Sequence, residues 1–148
     1  MNINTMTGLQ IMQAFAAGHF PAPSITKTIP MTMASIEQDK VVFMATADHN
    51  HLNPMGGVHG GFAATVLDSV TGCAAHTALA AGEGYGTIEL NVKMCKAIPV
   101  NKTLRAEGRV INKSRSLVIS EGSIRDDDGN LYAHATATCM ILRKAHTA

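Results

Sequence analysis

One segment limits the possible folds of this chain more than any other: the apolar stretch 62–81, which has the length of a membrane-spanning helix. It carries Asp68 and His76 together with several hydroxyl residues, which are costly in hydrocarbon. Small residues lie on every side of the helix that it would form, and they are Ala63, Ala64, Gly72, Ala74, Ala75 and Ala78. Small side chains let a curved sheet approach a helix backbone closely. We therefore predict a helix buried inside a soluble domain.

Strand patterns flank this helix on both sides. Two precede it and four follow it, and the predicted strands cover 31–36, 41–47, 87–94, 103–111, 117–124 and 131–142. Apolar and polar residues alternate along 104–110, so one face of that strand meets a core. The connections are short, and the run 126–130 is a strong turn signal. This order predicts an α+β domain in which an antiparallel sheet covers the helix.

The length of 148 residues predicts one domain. A short amphipathic helix is predicted at 8–17, and it ends at Gly18 and the proline-containing breaker 21–23. Residues 1–24 are therefore predicted to form an N-terminal helical extension, and residues 25–148 a single folded domain.

Charge and cysteine content argue against several partners. Twelve Lys and Arg residues stand against eleven Asp and Glu residues, with no long basic run, so nucleic acid is not an expected partner. Cys73, Cys95 and Cys139 are odd in number and widely spaced, which argues against a disulfide framework and favours a cytoplasmic location. No basic segment precedes the first apolar stretch, so we expect no signal peptide and no membrane anchor.

Asp68 is the most informative single residue, because it stands in the middle of the apolar helix without a cation three or four positions away. A carboxylate buried there would be desolvated and suited to acid or base catalysis. The alternative is that Asp68 lies on one exposed stripe of the helix, or that the hydroxyl groups of Thr65 or Thr71 satisfy it. The sequence leaves both interpretations open.

A glycine-rich segment comes directly before the helix and contains Asn53, Gly56, His59, Gly60 and Gly61. Unpaired amides and the helix macrodipole at such a start can polarise a carbonyl oxygen. His59 is placed to orient a neighbour or to touch a ligand. The alternative interpretation is a glycine-rich turn that needs positive φ angles and has no chemical role.

Three other features are candidates for a metal site, a nucleophile and a phosphate site. His49, His51 and His59 suggest a metal, but the segment has no clear third carboxylate ligand, so no metal is predicted. Cys73 lacks a basic neighbour and is expected to be a small core residue. Lys113 and Arg115 form a basic cluster in a turn, which could hold a phosphate or be a solvated hairpin tip.

The pattern Asn53-x-x-Gly56-x-x-His59-Gly60-Gly61, with Asp68 nine residues after His59, resembles the hotdog-fold acyl-CoA thioesterases of the phenylacetate-pathway type, in the superfamily of 4-hydroxybenzoyl-CoA thioesterase. The resemblance covers about residues 30–142 in element order. It implies a hotdog fold, in which a curved antiparallel sheet of five to six strands wraps a long central helix. It also implies homodimers or homotetramers with active sites at the dimer interface.

The resemblance assigns roles to individual residues. Asp68 of one subunit would be the general base or the nucleophile, and the Gly60 amide of the other, with Gly61 as second choice, would polarise the thioester carbonyl. Asn53 and His59 would position the water or the acyl group. Thr87 matches the hydroxyl residue that assists the aspartate, at a spacing one residue longer. No cofactor is implied, because coenzyme A is part of the substrate, and Lys113 and Arg115 are the candidates to bind its phosphates.

Two other functions remain open at this stage. A hydratase or dehydratase of the same fold would act on enoyl or hydroxyacyl thioesters, and the segment 48–54 with its Asp and His residues encourages that interpretation. A non-catalytic acyl-CoA binding module would keep the pocket without the chemistry. The acyl group and the choice between dimer and tetramer cannot be read from these residues.

Overall fold

The structure, a computed structural model, describes residues 2–143, so the last five residues of the predicted domain lie outside it. Its central helix α3 spans Gly60–Thr77 and begins where the His59 side chain accepts a hydrogen bond from the Gly61 amide. The prediction that the helix continues to residue 81 is wrong. The chain turns after Thr77, because Glu83 Oε2 accepts the Ala80 amide at 3.0 Å and Gly82 takes a positive φ of 80°.

Six antiparallel strands form one sheet, and all six predicted strands are present. They are β1 Met31–Glu37, β2 Lys40–Thr46, β3 Glu83–Met94, β4 Thr103–Lys113, β5 Leu117–Arg125 and β6 Leu131–Arg143. Their order in the sheet is β1-β2-β4-β5-β6-β3, which makes β1 and β3 the two edges. The prediction that β3 begins only at residue 87 is wrong, because Gly84 and Gly86 pair with Leu142 and Met140 of the long strand β6.

The core lies between α3 and the concave face of this sheet. Val66, Leu67 and Val70 of the helix are fully buried there with strand residues such as Leu104. A Cβ atom added at Gly108 would lie 2.1 Å from the Val70 carbonyl oxygen, so the backbones of β4 and α3 are in direct contact. The predicted burial of a small-residue helix under a wrapped sheet, the hotdog arrangement, is confirmed.

Two helices precede the sheet. Helix α1 spans Gly8–Ala16, and its Gly8 amide donates to the Leu79 carbonyl at 3.0 Å, so it packs on the C-terminal end of α3. The short helix α2, Ile25–Thr28, was not predicted. The division of the chain at residue 24 stays a prediction. Within residues 2–143, none of the helices combines the length and apolar character that crossing a bilayer requires.

Candidate functional site

A cleft opens at the N-terminal end of α3, and we call it the Gly60 cleft. It has a volume of about 300 Å³. Its walls come from the start of the helix, from the end of β3 with the following turn, and from β6, and they include Val58, His59, Gly60, Ala63, Met94 and Tyr132. The sequence motif around His59 and the distant strand ends therefore meet at one place.

The amides at the start of α3 are not equivalent. His59 Nδ1 accepts the Gly61 amide at 2.8 Å, and the His59 carbonyl accepts the Phe62 amide at 3.0 Å. The Gly60 amide has no hydrogen-bond partner among the described residues. Because the first amides of a helix also carry the positive end of its dipole, Gly60 offers a donor to a carbonyl oxygen in the cleft. Gly61 does not, since His59 already occupies its amide.

The loop before the helix is ordered by Asn53. Its Oδ1 accepts the amides of Met55 at 2.9 Å and Gly57 at 3.2 Å, and its own amide donates to the Gly57 carbonyl at 2.7 Å. Its side-chain carbonyl is thus used inside the loop, and only the Nδ2 group remains for a ligand. The predicted role of Asn53 in positioning water or an acyl group stays a prediction.

A second, open cleft of about 460 Å³ runs beside the middle of α3, and we call it the Asp68 cleft. It is lined by Ala64, Thr65, Asp68, Thr87, Ile88, Glu89 and Leu90. Asp68 is exposed in the single chain, and its carboxylate has no hydrogen-bond partner within the described part. Of the two interpretations of Asp68, the structure shows the exposed stripe. It also places Thr87 in the same cleft as Asp68, and the assisting role that the resemblance gives to Thr87 stays a prediction.

The two clefts are separate within one chain. Asp68 follows Gly60 by eight positions, which corresponds to about 12 Å along a helix axis. A single carbonyl group cannot contact both. The Asp68 cleft borders β3, whose outer edge has no partner strand in the described chain, and Ile88 on this edge is 57 % exposed.

Lys113 and Arg115 lie far from Gly60. Lys113 Nζ donates to the Ala78 carbonyl at 2.5 Å, at the C-terminal end of α3 and about 27 Å along the helix axis from Gly60. Arg115 is exposed in the same turn. A cation at this end of a helix is also favourable for the helix dipole. Phosphate binding by these two residues stays a prediction.

The remaining candidates from the sequence are the histidines that suggested a metal site and the thiol of Cys73. His51 is buried, with Nδ1 accepting the Asp48 amide at 2.9 Å and Nε2 bonded to the Thr28 carbonyl at 2.7 Å, so it joins the loop to α2. Within residues 2–143, no cluster of three His, Cys, Asp or Glu residues is arranged to hold a metal ion. Burial, with the Asp68 carboxylate adding to it, raises the pKa of the Cys73 thiol to about 12, which does not suit a nucleophile.

Sequence reasoning missed the cleft residues that come from the end of β3, the following turn and β6, among them Met94, Lys96 and Tyr132. A Cβ atom added at Gly60 would lie 2.6 Å from Met94 Sδ, so this thioether packs directly on the Gly60 backbone. Strand β3 ends at Met94, and β6 begins one residue before Tyr132. No local pattern in the sequence marks these positions, because only the sheet brings them to the start of the helix.

Comparison with known proteins agrees with this architecture. The family model described as the thioesterase superfamily matches residues 55–133, which is more than half of the chain. The chain therefore belongs to the thioesterase superfamily, and it has the hotdog fold of that superfamily.

Individual proteins that resemble this chain are identical to it at about a quarter of the aligned positions. A phenylacetic acid degradation-related protein from Ralstonia eutropha, described as a thioesterase, is 27 % identical with a TM-score of 0.80, over 87 % of this chain and 98 % of that one. A Streptococcus mutans protein bound to acetyl CoA shares the fold at 23 % identity, with a TM-score of 0.70 over 77 % of this chain and 91 % of that one. A Caenorhabditis elegans protein named as an esterase is 27 % identical over 72 % of this chain, and the matched region spans 63 % of that relative.

Proposed function

We propose that this protein is an acyl-CoA thioesterase that hydrolyses a thioester to a free acid and coenzyme A in the cytoplasm. The observation that carries the proposal is the pairing, on one helix of this superfamily, of an unpaired Gly60 amide with an exposed Asp68 carboxylate that shares its cleft with Thr87. The acetyl CoA bound to the Streptococcus mutans relative supports coenzyme A as the thiol part of the substrate.

The Gly60 amide donates a hydrogen bond to the thioester oxygen and stabilises the negative charge that develops there during attack. Asp68 either removes a proton from a water molecule that attacks the carbonyl carbon, or attacks that carbon itself to form an anhydride that water then opens. In both routes the carbon–sulfur bond breaks and the thiolate of coenzyme A leaves. His59, Asn53 and Thr87 position the water or the acyl group.

The two groups come from different subunits in this proposal. One chain holds its Gly60 and Asp68 about 12 Å apart along the helix, too far for one carbonyl. Because β3 is an open edge beside the Asp68 cleft, pairing of two β3 edges in a homodimer would bring Asp68 of one subunit toward Gly60 of the other. Tetramers built from such dimers are compatible with the same site. Lys113 and Arg115 would then meet the coenzyme A phosphates at the exposed end of the helix.

The test measures thiol release from aryl-CoA and from short, medium and long acyl-CoA thioesters, after subtraction of the signal from the three cysteines of the protein. We expect Asp68→Asn to lower kcat/KM by about 10²- to 10⁴-fold, because a general base or nucleophile is lost. Glu89→Gln is the matched control, since Glu89 is the other carboxylate in the Asp68 cleft. Its turnover should stay within about threefold of wild type, the range of an ordinary surface change.

The outcome also separates the alternatives. A larger loss in Glu89→Gln than in Asp68→Asn would contradict the assignment of Asp68. Hydration of an enoyl thioester without thiol release would identify the hydratase. Binding of acyl-CoA without any turnover would identify a binding module.

A further inference from the structure

Lys96 is a cation in the wall of the Gly60 cleft that the proposed mechanism does not use. It lies in the turn after β3, and among the described residues it forms no ion pair with an acidic side chain. Its Nζ atom lies 5.3 Å from the centre of the Tyr132 ring, the position of a cation–π contact. Lys96 is exposed in the single chain, so the Gly60 cleft carries at its wall a positive charge without an acidic partner among the described residues.

The position of Lys96 is fixed by the sheet. The amides of Cys95 and Lys96 both donate to the Tyr132 carbonyl, at 2.8 and 3.1 Å. The Tyr132 hydroxyl in turn donates to Asp126 Oδ2 at 3.1 Å, and Lys102 pairs with the same oxygen at 3.4 Å. Because Asp126 is already neutralised by Lys102 and by hydrogen bonds, it does not compete for the charge of Lys96.

The floor of the cleft is closed. Ala63 and Tyr132 are 3 % and 4 % exposed, and Val58 and Ile98 pack against the core cluster. A volume of about 300 Å³ is small for a ligand pocket and suits a short chain. The coenzyme A arm, with its charged nucleotide, has to stay in solvent because burial of its phosphates would be costly. The acyl part is the part that enters.

The distance of each group from the thioester decides whether the acyl part or the phosphates of the substrate can be the partner of Lys96. About a dozen bonds lie between the thioester sulfur of coenzyme A and its first phosphate, which is roughly 15 Å in an extended chain. With the thioester at Gly60, the phosphates therefore lie beyond the cleft that contains Lys96. A four- or five-carbon acyl group is short enough to keep its terminal carboxylate in the same cleft as its thioester.

We propose that Lys96 binds the free carboxylate of a short dicarboxylic acyl thioester, which makes such compounds the preferred substrates. This inference rests on the proposed thioesterase function and names the substrate class of the same site. The ammonium group pairs with the carboxylate above the Tyr132 ring, while the Gly60 amide holds the thioester oxygen.

The experiment compares glutaryl-CoA with pentanoyl-CoA, which has the same number of acyl carbons and no carboxylate. We expect wild type to prefer glutaryl-CoA, and Lys96→Met to lower kcat/KM for glutaryl-CoA by about tenfold, the size of one lost charged hydrogen bond. Hydrolysis of pentanoyl-CoA should stay within about twofold, because Met preserves the aliphatic stem. The glutaryl preference should also fall as salt rises.

Lys40→Met is the matched control, since Lys40 pairs only weakly with Glu107 at 3.8 Å on β2, away from the cleft. It should leave both substrates unchanged. Glutaryl-pantetheine, which lacks the nucleotide phosphates, should retain the full effect of Lys96→Met. An equal loss for both CoA thioesters that disappears with the pantetheine thioesters would overturn the inference in favour of a phosphate contact.

No change in either substrate would overturn the inference while leaving the thioesterase function intact. If wild type hydrolyses none of these thioesters, the proposed function fails, and the role of Lys96 is decided by binding. Calorimetry with the non-hydrolysable thioether analogues of the two CoA compounds then has to show a weaker affinity of Lys96→Met for the glutaryl analogue alone.

Discussion

The Gly60 cleft and the Asp68 cleft lie along the same helix, and they differ in how far contacts within one chain enclose them. In the Gly60 cleft, Asn53 orders the loop, His59 the helix start and Tyr132 the end of the sheet, because each accepts hydrogen bonds from backbone amides there. In the Asp68 cleft, an exposed carboxylate without a described partner lies beside an open strand edge.

A single chain thus orders the start of α3 around the Gly60 amide and leaves the Asp68 carboxylate exposed beside an open strand edge. The Gly60 cleft is built from contacts that one chain makes with itself. The Asp68 cleft lacks a second wall, because β3 ends the sheet there. Under the proposed function the partner subunit provides that wall.

The strongest test mixes two inactive variants. Asp68→Asn and Gly60→Pro homodimers should each lose at least about a hundredfold in kcat/KM, because each lacks one reacting group in both sites. Co-expression should restore about a quarter of wild-type activity in the mixture of dimers and about half in heterodimers purified through two affinity tags, since a heterodimer has one intact site of two. No recovery in purified heterodimers would show that both groups act from the same chain.

Gly60→Pro tests whether the amide itself acts. Proline suits the first helical position and removes the N–H group, and His59 already has the extended angles φ −64° and ψ 137° that a residue before proline prefers. We expect a loss in kcat of about 10²-fold, typical for one donor to a developing oxyanion.

Gly60→Ala is the matched variant, because it keeps the amide while its Cβ displaces the flexible Met94 side chain. It should lose much less activity than Gly60→Pro. Equal losses in the two variants would mean that space at Gly60 matters rather than its hydrogen.

His59 orders the helix start, so its replacement tests the rigidity of the Gly60 cleft. His59→Ala removes the acceptor of the Gly61 amide and should lower the free energy of unfolding by about 1 kcal/mol. His59→Asn should regain this stability, because Asn is a good cap. If His59 also positions the substrate, kcat/KM stays low in His59→Asn, and full recovery of activity would limit His59 to capping.

Acid should weaken the hydrogen bonds that Asp126 accepts, including the one from Tyr132, which lines the Gly60 cleft. Hydrogen bonds, first from the Asn130 side chain, hold the pKa of Asp126 well below its ordinary value of 3.8. The contribution of this carboxylate to stability is therefore complete above about pH 4 and is lost as the pH falls further. Urea denaturation between pH 7 and pH 3 should show a steeper loss for wild type than for Asp126→Asn. Parallel curves would contradict the role of Asp126.

Local patterns predicted much of the fold. Small residues around Asp68 predicted a wrapped helix, and the alternation along 104–110 predicted a strand with one buried face. The helix end and the start of β3 were misjudged around 78–86, because pairing with β6 overrides the glycines there. Helix α2 was missed since its four residues carry almost no periodic signal.

The site was predictable only where it is continuous in sequence. The motif from Asn53 to Gly61 and its spacing to Asp68 named residues that line the two clefts, and their roles in one shared site stay a prediction. Met94, Lys96 and Tyr132 were not predictable, because they reach Gly60 through strand pairings over long stretches of chain.

Periodicity, residue size and the glycine-rich motif are local properties of the chain, and they were enough to predict where the central helix begins, which carboxylate it carries and that a sheet wraps it. Three features depend on the folded chain: the Gly60 amide stays unpaired among the described residues, Asp68 is exposed beside an open edge, and Lys96 lines the Gly60 cleft. The physical reason is that hydrogen-bond partners and burial are set by segments distant in the chain, and a local pattern contains no record of them.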